Sequence, residues 1–183
     1  MSRLFGTDGV RGIPGKGALS GDSVRRLAYH AARLLLERQG VKVNGHAPLI
    51  AVGRDTRGSG PALLRSLLSG FSGAGVRVAD LGVIPTPGVS YLAPRLGCFG
   101  GVVISGSHNP AEYNGIKFFD GSGYKISPDL ELEIERRIAR LVPPSIARPP
   151  FAAADRAAIY MDFLKSAFPA TLDLDGARIV VDC

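Results

Sequence analysis

The hydrophobic pattern divides the chain into short apolar runs and longer segments whose apolar positions recur at helical spacing. The apolar runs lie at residues 49–52, 76–82 and 102–104, and the helical segments begin near Ser20, Pro61 and Pro85. Strands that alternate with helices at this spacing are typical of βαβ units. We therefore predict an α/β fold, a three-layer α/β/α domain with a mixed, mostly parallel sheet.

The pattern changes towards the end of the chain. A charged amphipathic helix is predicted to begin at Ser127, and the proline pairs Pro143-Pro144 and Pro149-Pro150 indicate a linker. A further helix over 155–168 and an apolar strand at 179–181 are predicted beyond it. We assign residues 1–150 to a first domain. Residues 151–183 are interpreted as the connecting helix and first strand of a second domain that the chain does not complete.

Composition limits the class of protein. With 183 residues, 45% of them hydrophobic, the chain can bury one sizeable core. Its two cysteines, Cys98 and Cys183, form neither a disulfide framework nor a zinc site, and we expect Cys98 in the core. No apolar run is long enough to span a bilayer, and the N-terminus lacks an apolar signal core. We expect a soluble, cytoplasmic protein without a membrane partner.

The net charge of +6 is compatible with an anionic partner, either a polyanion or a small anion. The arginines are scattered through predicted helices, and there is no lysine-rich run with interleaved aromatic residues, as single-strand binders have. The pattern therefore favours a small anionic ligand and argues against nucleic acid.

The chemistry is concentrated in residues 100–126, GGVVISGSHNPAEYNGIKFFDGSGYKI. The strand at 102–104 delivers two hydroxyls, an imidazole and an amide to its carboxyl end, where open α/β sheets bind ligands. Asn114-Gly115 is predicted to form a turn that leads into a second apolar run containing Lys117. Ser107, His108 and Lys117 are thus expected around one loop.

Two earlier loops could also face an anion. Residues 5–12, FGTDGVRG, would present backbone N–H groups and Arg11, or would form an ordinary turn with Arg11 in solvent. Residues 53–60, GRDTRGSG, precede a predicted helix. Arg54 and Arg57 could point to an anion at its N-terminus, or could pair with Asp55 and brace the loop.

Several other kinds of site do not fit the loop around Ser107. A nucleophile elbow requires glycine where Asn109 stands, and a P-loop requires lysine where Ser107 stands. Zinc would need more His, Cys or acidic residues nearby. Serine needs an activating base or charge to act as a nucleophile, whereas phosphoryl transfer depends mostly on positioning and charge neutralisation.

Four motifs in order resemble the α-D-phosphohexomutase superfamily: FGTDGVRG at 5–12, GRDTR at 53–57, SGSHNP at 105–110 and NGIKFF at 114–119. The resemblance implies that Ser107 is a phosphoserine that exchanges its phosphoryl group with a sugar phosphate. It implies that Lys117 and Arg11 contact this group, and that a phosphoseryl oxygen of Ser107 binds Mg²⁺. His108 would orient the loop or assist proton transfer; a purely structural role is the alternative.

The resemblance is closest to members that act on glucosamine phosphates, with members that act on glucose or mannose phosphates as the alternative. A phosphate-binding module without catalysis is the alternative from a different class. The superfamily's aspartate-rich metal motif, D-G-D-x-D-R, is absent from the sequence, so the remaining Mg²⁺ ligands are expected in a second domain. We therefore expect the 183-residue fragment alone to be inactive. The assembly that the resemblance allows is a homodimer.

Overall fold

A six-stranded mixed sheet forms the centre of the computed structural model, which describes residues 3–42, 47–139, 151–152 and 156–181. The strands are β1 (Val10–Gly12), β2 (Leu49–Arg54), β3 (Arg77–Val83), β4 (Gly100–Ile104), β5 (Asn114–Asp120) and β6 (Phe151–Ala152). Their order is β1-β5-β4-β2-β3-β6. The pairs formed among β2, β3, β4 and β6 are parallel, whereas β5 is antiparallel to both β4 and β1.

Helices cover both faces of this sheet. They are α1 (Gly21–Arg38), α2 (Gly60–Gly73), α3 (Thr86–Arg95), α4 (Pro128–Ile138) and α5 (Arg156–Ala167). The larger apolar cluster joins one face of the sheet to α1, α2 and α4, and the smaller cluster joins the other face to α3 and α5. Neighbouring residues of β4 alternate between the two, since Val102 lies in the larger cluster and Val103 in the smaller. The predicted three-layer α/β/α architecture is confirmed.

Local signals placed the helix starts correctly. The side-chain oxygens of Ser20 and Ser127 accept hydrogen bonds from the backbone N–H groups of Ser23 and Leu130, at 3.3 and 3.4 Å. Each serine therefore caps the helix that it was predicted to begin.

The predicted turn at Asn114-Gly115 is wrong. These residues begin β5, where they pair with Gly12 and Arg11 of β1. Asn114 is fully buried; its amide donates to Ser59 Oγ at 2.8 Å, and its side-chain oxygen accepts from the Gly115 N–H at 2.8 Å. Pairing with a distant strand thus overrides the local turn preference of this dipeptide. The predicted loop at 5–12 is likewise partly a strand, because its last three residues form β1.

The end of the described chain differs from the prediction in part. Helix α5 agrees with the predicted helix, and its Tyr160 is buried against α3, while β6 pairs with β3. The strand predicted at 179–181 is wrong, because these residues are exposed and have no partner strand among the described residues. The proline linker at 143–150 lies outside the described residues, and the domain boundary at residue 150 stays a prediction. Among the described helices, none is long and apolar enough to cross a membrane.

Candidate active site

The candidate site lies where the chain leaves the carboxyl ends of β4 and β2. After Ile104 the chain remains attached to the sheet, because the Ser105 N–H donates to the Gly115 carbonyl at 3.0 Å. The Asp55 N–H, just beyond β2, donates to the Ile104 carbonyl at 2.9 Å. The two loops are therefore joined by backbone hydrogen bonds at the edge of the sheet where α/β proteins bind ligands.

Ser107 is exposed on the loop after β4 and has an unusual backbone. Its φ of 54° lies in the left-handed region, which costs a residue with a Cβ about 1–2 kcal/mol. Its N–H donates to Ser105 Oγ at 3.0 Å, and its hydroxyl oxygen lies 3.4 Å from His108 Nδ1. A strained serine that presents its hydroxyl to solvent beside an imidazole is an arrangement found at functional sites. Ser107 and His108 thus lie side by side on this loop, and their catalytic roles stay a prediction.

Arg57, from the loop after β2, binds the backbone of the loop that carries Ser107. Its guanidinium donates to four backbone carbonyls, those of Ser107 (3.0 Å), Asn109 (2.7 Å), Pro110 (2.6 Å) and Tyr113 (3.0 Å). Of the two roles left open by the sequence, Arg57 therefore has the bracing one. Arg54 does not face the loop in this way; its Nη1 pairs with Asp80 Oδ1 at 2.7 Å.

Asp55 connects this arginine to the loop. Its Oδ2 accepts from Arg57 Nε at 3.1 Å and from the Gly106 N–H at 3.0 Å, and its Oδ1 accepts from the Arg57 N–H at 3.1 Å. Gly106 lies so close that an added Cβ would stand 2.5 Å from the guanidinium carbon of Arg57. A glycine at this position therefore lets the loop rest directly on the arginine.

Two of the predicted cations, Lys117 and Arg11, lie together on the paired strands β5 and β1. Lys117 Nζ is 2.6 Å from Asp8 Oδ2, and Arg11 Nη2 is 3.0 Å from the same oxygen. The Lys117 side chain is only 12% exposed, whereas the Asp8 side chain is 40% exposed. Burial acts to raise the pKa of Asp8, but the hydrogen bonds and charges of Lys117 and Arg11 outweigh it, so the pKa lies below its ordinary value.

The close approach of β1 to β5 depends on Gly9. Its φ is 83°, and an added Cβ would stand 2.4 Å from the Ile116 carbonyl oxygen. Beside it, a cavity of about 350 Å³ is lined by Arg3, Gly6, Thr7, Asp8 and Arg11, with Leu4 and Gly9 completing the wall. This loop, for which the sequence left anion binding and an ordinary turn open, thus borders an open space lined by two arginines, Arg3 and Arg11.

The structure brings the four predicted residues together as two neighbouring pairs. Ser107 and His108 share the loop after β4, and Lys117 and Arg11 share the carboxylate of Asp8. Gly115 links the pairs, since it accepts from Ser105 and lies opposite Arg11 in the sheet. Asp8 was not predicted from sequence, although an acidic residue three positions before Arg11 was the available signal. The arrangement can hold a hydroxyl near cations that neutralise an anion.

A match to a known protein family identifies the family of this chain. The α/β/α domain I of phosphoglucomutase/phosphomannomutase matches residues 2–143, which include every residue of the site. This chain belongs to the phosphoglucomutase/phosphomannomutase family. The resemblance inferred from the four sequence motifs is confirmed.

Individual relatives agree with this assignment. The phosphoglucosamine mutases of Burkholderia mallei strain SAVP1 and Burkholderia thailandensis are each 44% identical over 184 residues, covering 99% of this chain and 41% of the relative. The chain therefore spans about two fifths of the length of these relatives.

Solved structures support the same fold. A putative phosphomannomutase from Thermus thermophilus is 33% identical with a TM-score of 0.71, over 93% of this chain and 36% of that one. A phosphoglucomutase/phosphomannomutase family protein from Burkholderia thailandensis is 31% identical with a TM-score of 0.66, over 85% and 34%.

The family is generally Mg²⁺-dependent, which raises the question of whether this chain can hold the ion. Within the described ranges, no group of three or more His, Cys, Asp or Glu side chains could hold a metal ion. Asp8 and Asp55 are engaged by cations and N–H groups. The described residues therefore do not by themselves fit a Mg²⁺ site.

Proposed function

We propose that this chain is the phosphoserine-bearing domain of a phosphoglucosamine mutase, which interconverts glucosamine 6-phosphate and glucosamine 1-phosphate. The observation that carries the proposal is Ser107, exposed and strained on a braced loop at the carboxyl end of β4. The relatives named phosphoglucosamine mutase support the choice of sugar. The domain supplies the phosphoryl carrier, and the sugar is expected to bind to parts of the protein beyond this chain.

The proposed reaction transfers two phosphoryl groups in turn, one from Ser107 to the sugar and the other from the sugar back to Ser107. A hydroxyl oxygen of the sugar monophosphate attacks the phosphorus on Ser107 and gives up its proton to a base. The bond between phosphorus and the serine oxygen breaks, and the serine oxygen takes up a proton to become a hydroxyl. The sugar bisphosphate then reorients, so that its other phosphoryl group faces the serine. The serine hydroxyl then loses its proton to a base as its oxygen attacks the phosphorus at the other end. The bond between that phosphorus and the sugar oxygen breaks, and the sugar oxygen takes up a proton, so that Ser107 is phosphorylated as at the start.

The residues of this chain have distinct roles in that scheme. Lys117 and Arg11 lie beside an exposed carboxylate and are proposed to neutralise the phosphoryl oxygens. His108, 3.4 Å from the serine oxygen, is proposed to assist proton transfer or to orient the loop. A phosphoseryl oxygen of Ser107 as a Mg²⁺ ligand stays a prediction, and so do the homodimer, the cytoplasmic location and the absence of nucleic acid as a partner.

A mutase acting on mannose or glucose phosphates is the second candidate. It is favoured by the similar structure from Thermus thermophilus, which is named a putative phosphomannomutase. The relative rates with the three sugar phosphates decide between the two candidates.

The test uses the complete protein that contains this chain. Intact-mass analysis should find one phosphoryl group that is lost in Ser107→Ala and retained in the control Ser122→Ala, another exposed loop serine. Initial rates with glucosamine, glucose and mannose 6-phosphates should give the largest kcat/KM for glucosamine 6-phosphate. Phosphate on a different residue, or full activity of Ser107→Ala, would overturn the proposed role of Ser107. Phosphate binding without turnover of any of these sugars would indicate the non-catalytic module instead.

A further inference from the structure

The role of Arg57 is the strongest feature of the site that neither the motifs nor the relatives assign. We propose that Arg57 is a positioning residue that holds the Ser107 loop in its reactive shape through backbone carbonyls, without contacting the substrate. The mechanical part of this inference follows from the structure alone. Its consequence for catalysis rests on the proposed function.

The hydrogen bonds of the guanidinium account for all of its donors. A guanidinium has five N–H groups, and Arg57 makes five hydrogen bonds with them, one to Asp55 and four to the loop carbonyls. The side chain is also only 15% exposed. Arg57 therefore has no donor left for a phosphate of the substrate, in contrast to Arg11 and Lys117, whose partner is an exposed carboxylate.

The brace is anchored to the sheet at both ends. Arg57 and Asp55 belong to the loop after β2, and the Asp55 N–H is bonded to the last residue of β4. The four carbonyls belong to the loop after β4, from Ser107 to Tyr113. One side chain thus fixes one loop against the neighbouring parallel strand. A lysine could not replace it, because an ammonium has three donors at a single point and lacks the planar fork.

The loop has a reason to need such a brace. Ser107 is held at a φ of 54°, and the Arg57 bond to its carbonyl fixes the peptide plane that follows. Without that bond the residue would relax towards negative φ, which would turn its hydroxyl away from its present direction. A misplacement of about 1 Å at a reacting group can cost about 100-fold in rate. The brace therefore contributes to the rate of transfer and not to the affinity for the sugar.

The test compares Arg57→Lys and Arg57→Ala with the control Arg54→Met in the complete protein. Arg54, the last residue of β2, also makes an ion pair, but its partner is Asp80 and not the loop after β4. Hydrogen exchange of the amides at 106–113 should become faster in both Arg57 variants and stay unchanged in the control. In the steady state, kcat should fall about 100-fold in Arg57→Ala while KM changes less than about threefold. Millimolar guanidinium ion should restore part of the kcat of Arg57→Ala, and Arg57→Lys should remain impaired.

Three results would overturn the inference. An increase in KM with kcat preserved would mean that Arg57 binds the substrate. Unchanged exchange at 106–113 would mean that it does not hold the loop, and full activity of Arg57→Lys would mean that a single positive charge suffices. Failure of the proposed function is recognised separately, by wild-type protein that lacks phosphate on Ser107 or turns over no hexose phosphate. In that case the exchange measurement still decides whether Arg57 fixes the loop.

Discussion

Raising the pH should weaken the fold through Cys98, a buried thiol that precedes β4. Cys98 is 4% exposed within the smaller apolar cluster. Burial raises its pKa from 9.0 to about 11, although the positive charge of Arg156 acts in the opposite direction. Between these two values the unfolded thiol has lost its proton while the folded thiol keeps it. The unfolded state therefore binds fewer protons, and the free energy of unfolding falls as the pH rises through this window.

The size of the effect follows from the difference between the two pKa values. Each pKa unit corresponds to about 1.4 kcal/mol, so the two-unit difference removes about 3 kcal/mol once the pH exceeds 11. At pH 10, midway between the two values, the loss should be about 1.4 kcal/mol, and at pH 8 it should be below about 0.1 kcal/mol. The full loss of about 3 kcal/mol is a large fraction of the free energy of unfolding of a typical domain, which is about 5–15 kcal/mol.

The assay is urea unfolding at pH 8, 9 and 10 for the wild type and Cys98→Ala. Other titrating groups contribute equally to both proteins, so the difference between the two curves isolates Cys98. The alanine variant should be less stable at pH 8 because of the cavity, but it should lose about 1.3 kcal/mol less than the wild type between pH 8 and 10. Parallel pH curves for the two proteins would refute the reasoning, since they would show that the thiol ionises alike in both states.

Three further predictions concern packing, strain and charge. Gly70→Ala should lower the free energy of unfolding by about 1–3 kcal/mol in urea titrations despite its better helix propensity, because its Cβ would stand 2.2 Å from the Arg25 carbonyl oxygen; a gain in stability would contradict this. Ser107→Gly should be up to about 1 kcal/mol more stable than wild type in thermal unfolding, because glycine accepts the positive φ. Intact-mass analysis should find no phosphoryl group on this variant. A decrease of more than about 1 kcal/mol in its free energy of unfolding would show that the backbone at Ser107 is not strained. Asp8→Asn should lower the free energy of unfolding by about 1 kcal/mol at pH 7, a small value because the carboxylate is 40% exposed and screened by solvent. Inorganic phosphate should raise the Tm of this variant more than that of the wild type, because Lys117 in the variant lacks an anionic partner. Equal Tm shifts with phosphate would refute this prediction. Since the pKa of Asp8 is lowered on folding, this contribution is present above its unfolded value of 3.8 and disappears as the pH falls through the folded value.

The sequence predicted the features of the fold that depend on local signals. Apolar runs located the central strands, and capping serines located the starts of α1 and α4. The turn assigned to Asn114-Gly115 failed because its preference is also local, whereas its outcome was decided by pairing with β1, about one hundred residues earlier in the chain. The strand predicted at 179–181 failed for a related reason, since an apolar run becomes a strand only where another strand can pair with it.

The sequence named the residues of the candidate site but did not give their arrangement. The motifs named Ser107, His108, Lys117 and Arg11, and all four lie at the edge formed by β4, β5 and β1. The sequence left open whether Arg57 faces an anion, because the answer depends on where the carbonyls of another loop lie. A backbone carbonyl belongs to every residue type, so the sequence could suggest a bracing role for Arg57 but could not show which carbonyls it binds.

The two halves of the site should respond differently when Ser107 becomes phosphorylated. All five donors of the Arg57 guanidinium are already bonded and the side chain is mostly buried, so it has no free donor for an added phosphoryl group. The Asp8 cluster is different, because two cations share a single oxygen of a 40% exposed carboxylate. A phosphoryl group carries up to two negative charges and three acceptor oxygens, and could therefore compete for both cations. We expect phosphorylation to leave the brace in place and to redistribute the partners of Lys117 and Arg11, so that the loop supplies the geometry and the cluster supplies the charge.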